Sequence, residues 1–427
     1  MTGIICLPPS MATPVGSTAT RFDLYGADAL PHRGRVGGLI PPILKRLRLS
    51  PTERAWDFTS IALAVVAADE AISRTPSPDG WTRQIELTVA VAEPAFWEAQ
   101  KRHLRDALQF LTGDIWTLAF VAGGYSPAPV KEFALRKEDV VCLLSGGMDS
   151  LVGAIDVVHA GRKPLLVSQK AKGDSADQKN FASLVSPATL HLQLNHHARP
   201  PGPSERSQRA RSIAFLAFGT LAASCLEATR NGGSVDLLVP ENGFISQNVP
   251  LTPLRTGSLS TRTTHPFYFR ELQKVMDAAG LGTRIVNPYQ FRTKGEMLSG
   301  CQDQALLKQL AWDSTSCGRF SRTGFQHCGR CVPCQVRRAA VLAWKQTDRT
   351  KKGYKYDKLG SQDRRHARFD DVRSVAMAID AVARRGLDRW IGGSMNAELL
   401  GDLSPYRDVV ARGVAELAAL HKREGVT

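Results

Sequence analysis

No stretch of this 427-residue chain approaches the roughly 18 consecutive apolar residues that a membrane helix needs. The best run, Ile61 to Ala68, stops at Asp69-Glu70. No Lys or Arg precedes Arg21, so the basic start of a secretory signal is missing, and the expected location is cytoplasmic with no membrane partner. No internal repeat is evident. Carboxylates are scarce beside cations: 40 Asp and Glu against 55 Lys and Arg, a formal charge of +15. That balance attracts polyanions, whether nucleic acid, nucleotide phosphates or acidic proteins, and says nothing about fold. Much of it lies in Arg199 to Arg211 and in Lys345 to Arg368, the latter containing Lys351-Lys352 and Arg364-Arg365. Such runs read first as solvated faces or loops. Nucleic acid is compatible with them but not required.

What is present is an ordinary globular balance, 43% hydrophobic and 22% charged, in a length that suggests two or three units. Residues 1–20, with Pro8-Pro9 and Pro14, are predicted to be poorly structured or extended. Residues 21–135 are predicted to form an accessory α/β unit. Glu53 to Arg74 has helical spacing behind a candidate N-cap, Thr52, and Gln84 to Ala92 alternates as a strand. A helix over Glu98 to Leu111 and a strand over Ile115 to Val121 follow, then a linker marked by Gly123-Gly124, Pro127 and Pro129.

Residues 136–345 are predicted to be the main unit. The short apolar runs Val140 to Leu144, Pro164 to Ser168 and Val235 to Val239, with Thr283 to Val286, alternate with helical stretches at Leu151 to Ala160, Ser207 to Glu227 and Tyr268 to Ala279. Alternation of this kind predicts an α/β fold with a doubly wound parallel sheet. Residues 346–427 are predicted to be a basic loop and then helices over Val372 to Arg385 and Tyr406 to Lys422.

Between the first strand and helix of the main unit stands Leu144-Ser145-Gly146-Gly147-Met148-Asp149-Ser150. Glycines let the backbone approach an anion closely, and the helix that follows offers free N–H groups and a positive dipole end to phosphate. Ser145 and Ser150 add hydroxyl donors. Asp149 suits such a site if it holds Mg²⁺ or orders the loop. The Gly-Lys-Ser/Thr ending of a Walker loop and the Gly-x-Gly-x-x-Gly dinucleotide fingerprint are both absent.

Eight cysteines occur, and four of them, Cys317, Cys328, Cys331 and Cys334, fall within 18 residues. In a cytosolic chain this spacing reads as a metal site, not a disulfide framework. Four thiolates fill a tetrahedral Zn²⁺ shell, so the metal is expected to be structural and to pin the loop carrying Arg330, Arg337 and Arg338. Nothing in the sequence demands the redox chemistry of an iron–sulfur cluster. Cys301 and His327 are the spare ligands.

The glycine loop resembles the pyrophosphatase loop of N-type ATP pyrophosphatases. Together with the cysteine quartet, it makes residues 138–345 resemble the QueC-like family of 7-cyano-7-deazaguanine synthases. The resemblance implies an adenine-nucleotide α-hydrolase-like relative of the Rossmann fold, ATP and Mg²⁺ as cofactors, and a structural Zn²⁺. It implies ATP contacts at Leu144 to Ser150, Ser168 and Arg211. It also implies a 7-deazaguanine pocket at Glu241, Asn242, Gly243 and Phe244, with Arg255 on the following hydroxyl- and Arg-rich loop. Lys294 matches a family lysine near the nucleotide. Gln208-Arg209-Ala210-Arg211-Ser212 replaces the family's Pro-Gly-Arg-Asn stretch.

The flanking segments are similar to those of the QueC-like proteins of anti-phage defence, the QatC type. That similarity implies ATP-dependent ligation: the carboxylate of 7-carboxy-7-deazaguanine is adenylated, then joined to an amine of a partner defence protein. The alternatives are nitrile synthesis with ammonia, tRNA thiolation, and a nucleotide-binding subunit without turnover. Asp149, Ser150, Lys294, Arg262 and His265 are the expected catalytic set, His265 as proton acceptor or simply as a structural histidine before Pro266.

Overall fold

The computed structural model describes residues 2–28, 30–127, 133–171, 173–252, 262–360, 371–392, 395 and 400–426. Arg255, Arg364 and Arg365 lie outside the described residues. Among the described residues ten strands build two five-stranded sheets, and every neighbouring pair is parallel. The first holds β1 (Thr2–Leu7), β2 (Thr20–Leu24), β3 (Gly34–Val36), β4 (Gln84–Val91) and β5 (Ile115–Ala122) in the order β3-β2-β1-β4-β5. The second holds β6 (Val140–Leu143), β7 (Pro164–Gln169), β8 (His191–Leu194), β9 (Val235–Leu238) and β10 (Thr283–Val286) in the order β10-β9-β6-β7-β8. The two sheets share one plan. The earliest strand is central, the next two extend to one side, and the last two extend to the other.

The helices are α1 (Ile40–Arg46), α2 (Glu53–Ala71), α3 (Pro94–Thr112), α4 (Met148–His159), α5 (Ser175–Val185), α6 (Arg211–Ala223) and α7 (Glu227–Arg230). They continue with α8 (Gly243–Gln247), α9 (Pro266–Ala278), α10 (Lys294–Gly300), α11 (Gln304–Leu310), α12 (Val332–Ala343), α13 (Asp371–Arg385), α14 (Leu387–Ile391) and α15 (Ser404–Arg423).

Thr52 caps α2 as its sequence predicts, its side chain accepting from the Ala55 amide. The helix is apolar on every side, and every residue from Ala55 to Glu70 is buried. A helix of that kind needs protein on both flanks. Here the first sheet covers one side and α6 the other. The amphipathic α3 turns Trp97, Leu104, Leu108 and Leu111 inward and packs on β5 and α9. One core therefore runs from the first sheet through α2, α3, α6 and α9 to Val141 and Leu143 of β6. Their neighbours Cys142 and Leu144 point the opposite way, into a second core with α4, α10, α11 and α12. This alternation, period two in a fully buried strand, is why β6 reads as a continuous apolar run.

The expectation of a poorly structured start is corrected. Residues 2–7 are the central strand of the first sheet, paired to both β2 and β4, with Cys6 wholly buried. The run Ile4-Ile5-Cys6-Leu7 drives that burial, and Pro8-Pro9 end the strand instead of marking disorder. The C-terminal helices form a third core with α8 and α12.

Candidate functional site

The direction of strand addition reverses between β6 and β9, and a crevice outside the carboxyl ends of such strands is where open α/β sheets bind ligands. The Ser145 to Ser150 loop leaves β6 at that point. Gly146 sits at φ +91°, a conformation that excludes side chains at little cost only for glycine. The loop is tied down on all sides. Ser145 Oγ lies 3.0 Å from Ser150 Oγ and accepts from the Gly147 amide at 3.2 Å. Ser150 Oγ donates to the Gly147 carbonyl at 2.9 Å. Gln178 Nε2 donates to the Ser145 carbonyl, and the Thr315 amide donates to the Gly146 carbonyl, each at 2.9 Å. With α4 starting at Met148, its first amides have no carbonyl one turn earlier within the helix and are free for an anion. Gly153 lets α4 press against the β9 end, because a Cβ there would stand 2.2 Å from Pro240 Cγ.

Asp149 is buried and turns away from the loop's open side. Its Oδ2 accepts from the Asn242 amide at 3.2 Å and from Asn242 Nδ2 at 2.7 Å, while Oδ1 faces Lys294 Nζ at 3.0 Å. Burial alone would raise its pKa, but the Lys294 charge and these hydrogen bonds hold it down at about 2. Glu241 is pushed well above the usual carboxylate range by burial and then by the Asp149 charge, so it carries a proton beside an ionised Asp149. One lysine thus serves two carboxylates that share one negative charge. Asn242 spends its own Oδ1 on capping α8 at the Ile245 amide.

A cavity of about 330 Å³ opens over this crevice, lined by Ser145, Ser150, Arg211, Glu241, Thr263 and Thr264 among others. Of the predicted residues it brings together the loop serines, Arg211 and Glu241, with Asp149 and Lys294 one layer beneath. Others take different places. Ser168 is fully buried, donating to the Leu144 carbonyl and pairing with His191 Nε2, so it supports the loop from below and is not in the lining of this cavity. Arg262 donates to the Phe110 carbonyl and lies over that ring at 4.4 Å. His265 caps α9, its Nδ1 accepting from the Phe267 amide. Burial, then the nearby Arg262 charge, pushes it down to about 3, so it is neutral. Gly243 is a packing residue, since a Cβ would stand 2.2 Å from the Gln290 carbonyl oxygen. Phe244 lines a second cavity of about 510 Å³. Gln178 and Thr315 were not foreseen. Their roles depend on contacts 33 or more residues away, and no local pattern marks them.

No family model matches the chain, and no curated protein matches it. The functional reading therefore rests on geometry and on the motifs themselves.

Cys317, Cys328, Cys331 and Cys334 are all buried, with their sulfurs within 4.8 Å of one another. Two separations are 3.8 and 3.9 Å. A tetrahedron with metal–sulfur bonds of about 2.3 Å has edges of about 3.8 Å, so the cluster can hold a zinc ion. Amides of Arg319 and Cys328 point at Cys317 Sγ, and those of Arg330 and Cys331 point at Cys328 Sγ, which suits thiolates. Of the spare ligands, His327 accepts from the Ser316 amide through Nε2, and Cys301 lies in the second core.

The cluster opens α12, whose Arg337 is fully buried. That guanidinium donates to the carbonyls of Ala311 and Ser314 and to Thr350 Oγ1. It thereby fixes the segment that ends in Thr315 on the glycine loop. From the other side, α15 braces α10. Glu416 accepts from Thr293 Oγ1 and the Gly295 amide, on either side of Lys294.

Proposed function

We propose that the chain binds ATP on the Ser145 to Ser150 loop and adenylates a substrate carboxylate, which an amine then captures. The observation that carries this reading is a glycine loop that opens a helix at the strand-order reversal, with its Ser145 and Ser150 lining one cavity together with Arg211. The fold in this reading is the adenine-nucleotide α-hydrolase type, and the family is QueC-like. The substrate is then 7-carboxy-7-deazaguanine, and the acceptor is a partner protein's amine in an anti-phage defence system of the Qat type.

In the first step a carboxylate oxygen attacks the α-phosphorus of ATP, the bond to the bridging oxygen breaks, and pyrophosphate leaves. The first amides of α4 and the Ser145 hydroxyl receive its growing charge, and Arg211 offsets the remainder, while the Ser150 hydroxyl stays on the Gly147 carbonyl and shapes the loop. In the second step the amine attacks the acyl carbon, AMP departs, and the amine gives up a proton. Mg²⁺, bound chiefly by the phosphates, would neutralise charge on them. Asp149 and Lys294 hold the loop to the β9 end, and a zinc ion in the cysteine cluster is structural. Thiolation is disfavoured because the clustered thiols close on one another and Cys301 is buried.

The test is pyrophosphate release by the full chain with Mg-ATP and 7-carboxy-7-deazaguanine. Substrate-dependent release is expected, and its complete absence sinks the enzyme reading.

A further inference from the structure

Five charged side chains are buried together where the first sheet's helices meet the start of α6. Asp69, Arg74, Arg83, Asp114 and Arg209 are 1%, 4%, 2%, 0% and 6% exposed. Arg83 Nη2 lies 2.6 Å from both Asp69 and Asp114. Arg74 reaches Asp114 through two bonds of 2.7 and 2.9 Å and stands 3.6 Å from Asp69. Arg209 pairs with neither carboxylate. Its Nη1 donates to the Thr112 carbonyl at 3.0 Å, and its guanidinium lies 3.6 Å over the Trp81 ring. Its buried Nε has no partner among the described residues. Asp69 instead accepts from the main-chain amides of Arg209 at 2.6 Å and Ala210 at 2.8 Å, capping α6 from a distant helix. Glu205, the nearest other carboxylate on this loop, accepts from the amides of Arg74 and Ser207 and only half leaves solvent.

Asp69 and Asp114 are spent on Arg74 and Arg83, on which Glu205 also acts, so Arg209 is the one guanidinium of the three without a carboxylate contact among the described residues. An uncompensated buried charge is strongly unfavourable, and folds keep one where something else completes it. Arg209 lies in the wall common to both cavities, with Gln208 beside it. The larger cavity adds Arg206, Arg319 and Arg322 against Asp371.

We propose that Arg209 is an anion-binding residue whose missing counter-charge is a phosphoryl or carboxylate oxyanion of a ligand reaching across the two cavities. The first-sheet unit holds it there: Asp69 fixes its backbone, and Trp81 and Thr112 fix its side chain. The proposal needs an anion, not ATP, so it stands apart from the nucleotide reading.

The experiment is calorimetric titration of the full chain with inorganic pyrophosphate and, separately, with benzoate as a bare carboxylate. Wild type, Arg209→Met and Arg209→Lys are compared, each with a thermal melt. Arg209→Met is expected to weaken the bound anion at least tenfold, about 1.4 kcal/mol. Arg209→Lys should fall between, having the charge without the planar fork. Without ligand, Arg209→Met should melt no lower than wild type, because the buried charge it deletes has no carboxylate contact and outweighs the Thr112 bond it gives up. A pyrophosphate effect assigns the phosphoryl source, and an effect on benzoate alone assigns the carboxylate. Unchanged affinity in the folded variants, no binding of either probe to wild type, or a failure of both variants to fold overturns the proposal. A chain that turns over no ATP yet loses pyrophosphate with Arg209→Met leaves this inference standing and removes the nucleotide one.

Discussion

The main-chain N–H of Thr315 donates to the carbonyl of Gly146 at 2.9 Å, which joins the segment leading into the cysteine cluster directly to the glycine loop. Arg337 stiffens that link by gripping Ser314. Metal loss should therefore reach the loop. Purified protein is expected to carry about one zinc per chain, and chelation or Cys334→Ser should lower both the melting temperature and the affinity for pyrophosphate. Metal analysis alongside titration checks this. Metal-free protein that binds pyrophosphate normally would show that the link carries no coupling.

Asp149→Ala removes the carboxylate that Lys294 faces at 3.0 Å. Breaking one side of such a pair costs about 3–5 kcal/mol, and the β9 end loses its tie to the loop. Substrate-dependent pyrophosphate release is expected to vanish. The pair's stabilisation also has a pH signature. Asp149 is depressed from its ordinary 3.8 to about 2, so the contribution is full above about pH 4 and disappears as pH falls toward 2. Urea unfolding of wild type and Lys294→Met across that range measures it, the variant having lost the main cause of the depression.

Glu241 gives the opposite sign. Its pKa is raised from the ordinary 4.5, so the folded state keeps a proton that the unfolded chain releases, and stability falls as pH rises above 4.5. Glu241→Gln mimics the protonated acid. Its melting temperature should meet that of wild type near pH 4 and exceed it at pH 8. Parallel curves at all pH values would mean that Glu241 is ionised in the fold.

The strands and helices around β6 were legible because each is a compact apolar run with a turn on either side. The central strand β1 was not, since two prolines outweighed four apolar residues whose partners come 16 and more positions later. Site chemistry divided in the same way. The loop and the cysteine quartet are local patterns. The Asp69 cap on Arg209 joins residues 140 apart, and Glu416 reaches Thr293 across 123, so spacing held no trace of either. The commitments of Ser168 and His265 were hidden for a related reason. Both stand beside the site in sequence, but their polar atoms are committed to the backbone or to a buried neighbour.

His265 offers the sharpest separation of a structural from a catalytic histidine. As the N-cap of α9, its side chain satisfies the Phe267 amide, and losing a cap costs about 0.5–2 kcal/mol. Asn is among the best capping residues, so His265→Asn should retain both stability and turnover, whereas His265→Ala should unfold at lower urea. A ring held down at about 3 also contributes no ionisation near neutrality, so neither variant should remove a limb from the pH–rate profile between pH 6 and 8. If His265→Asn stays folded but loses turnover together with such a limb, the imidazole takes the amine's proton, and the cap is only its resting arrangement.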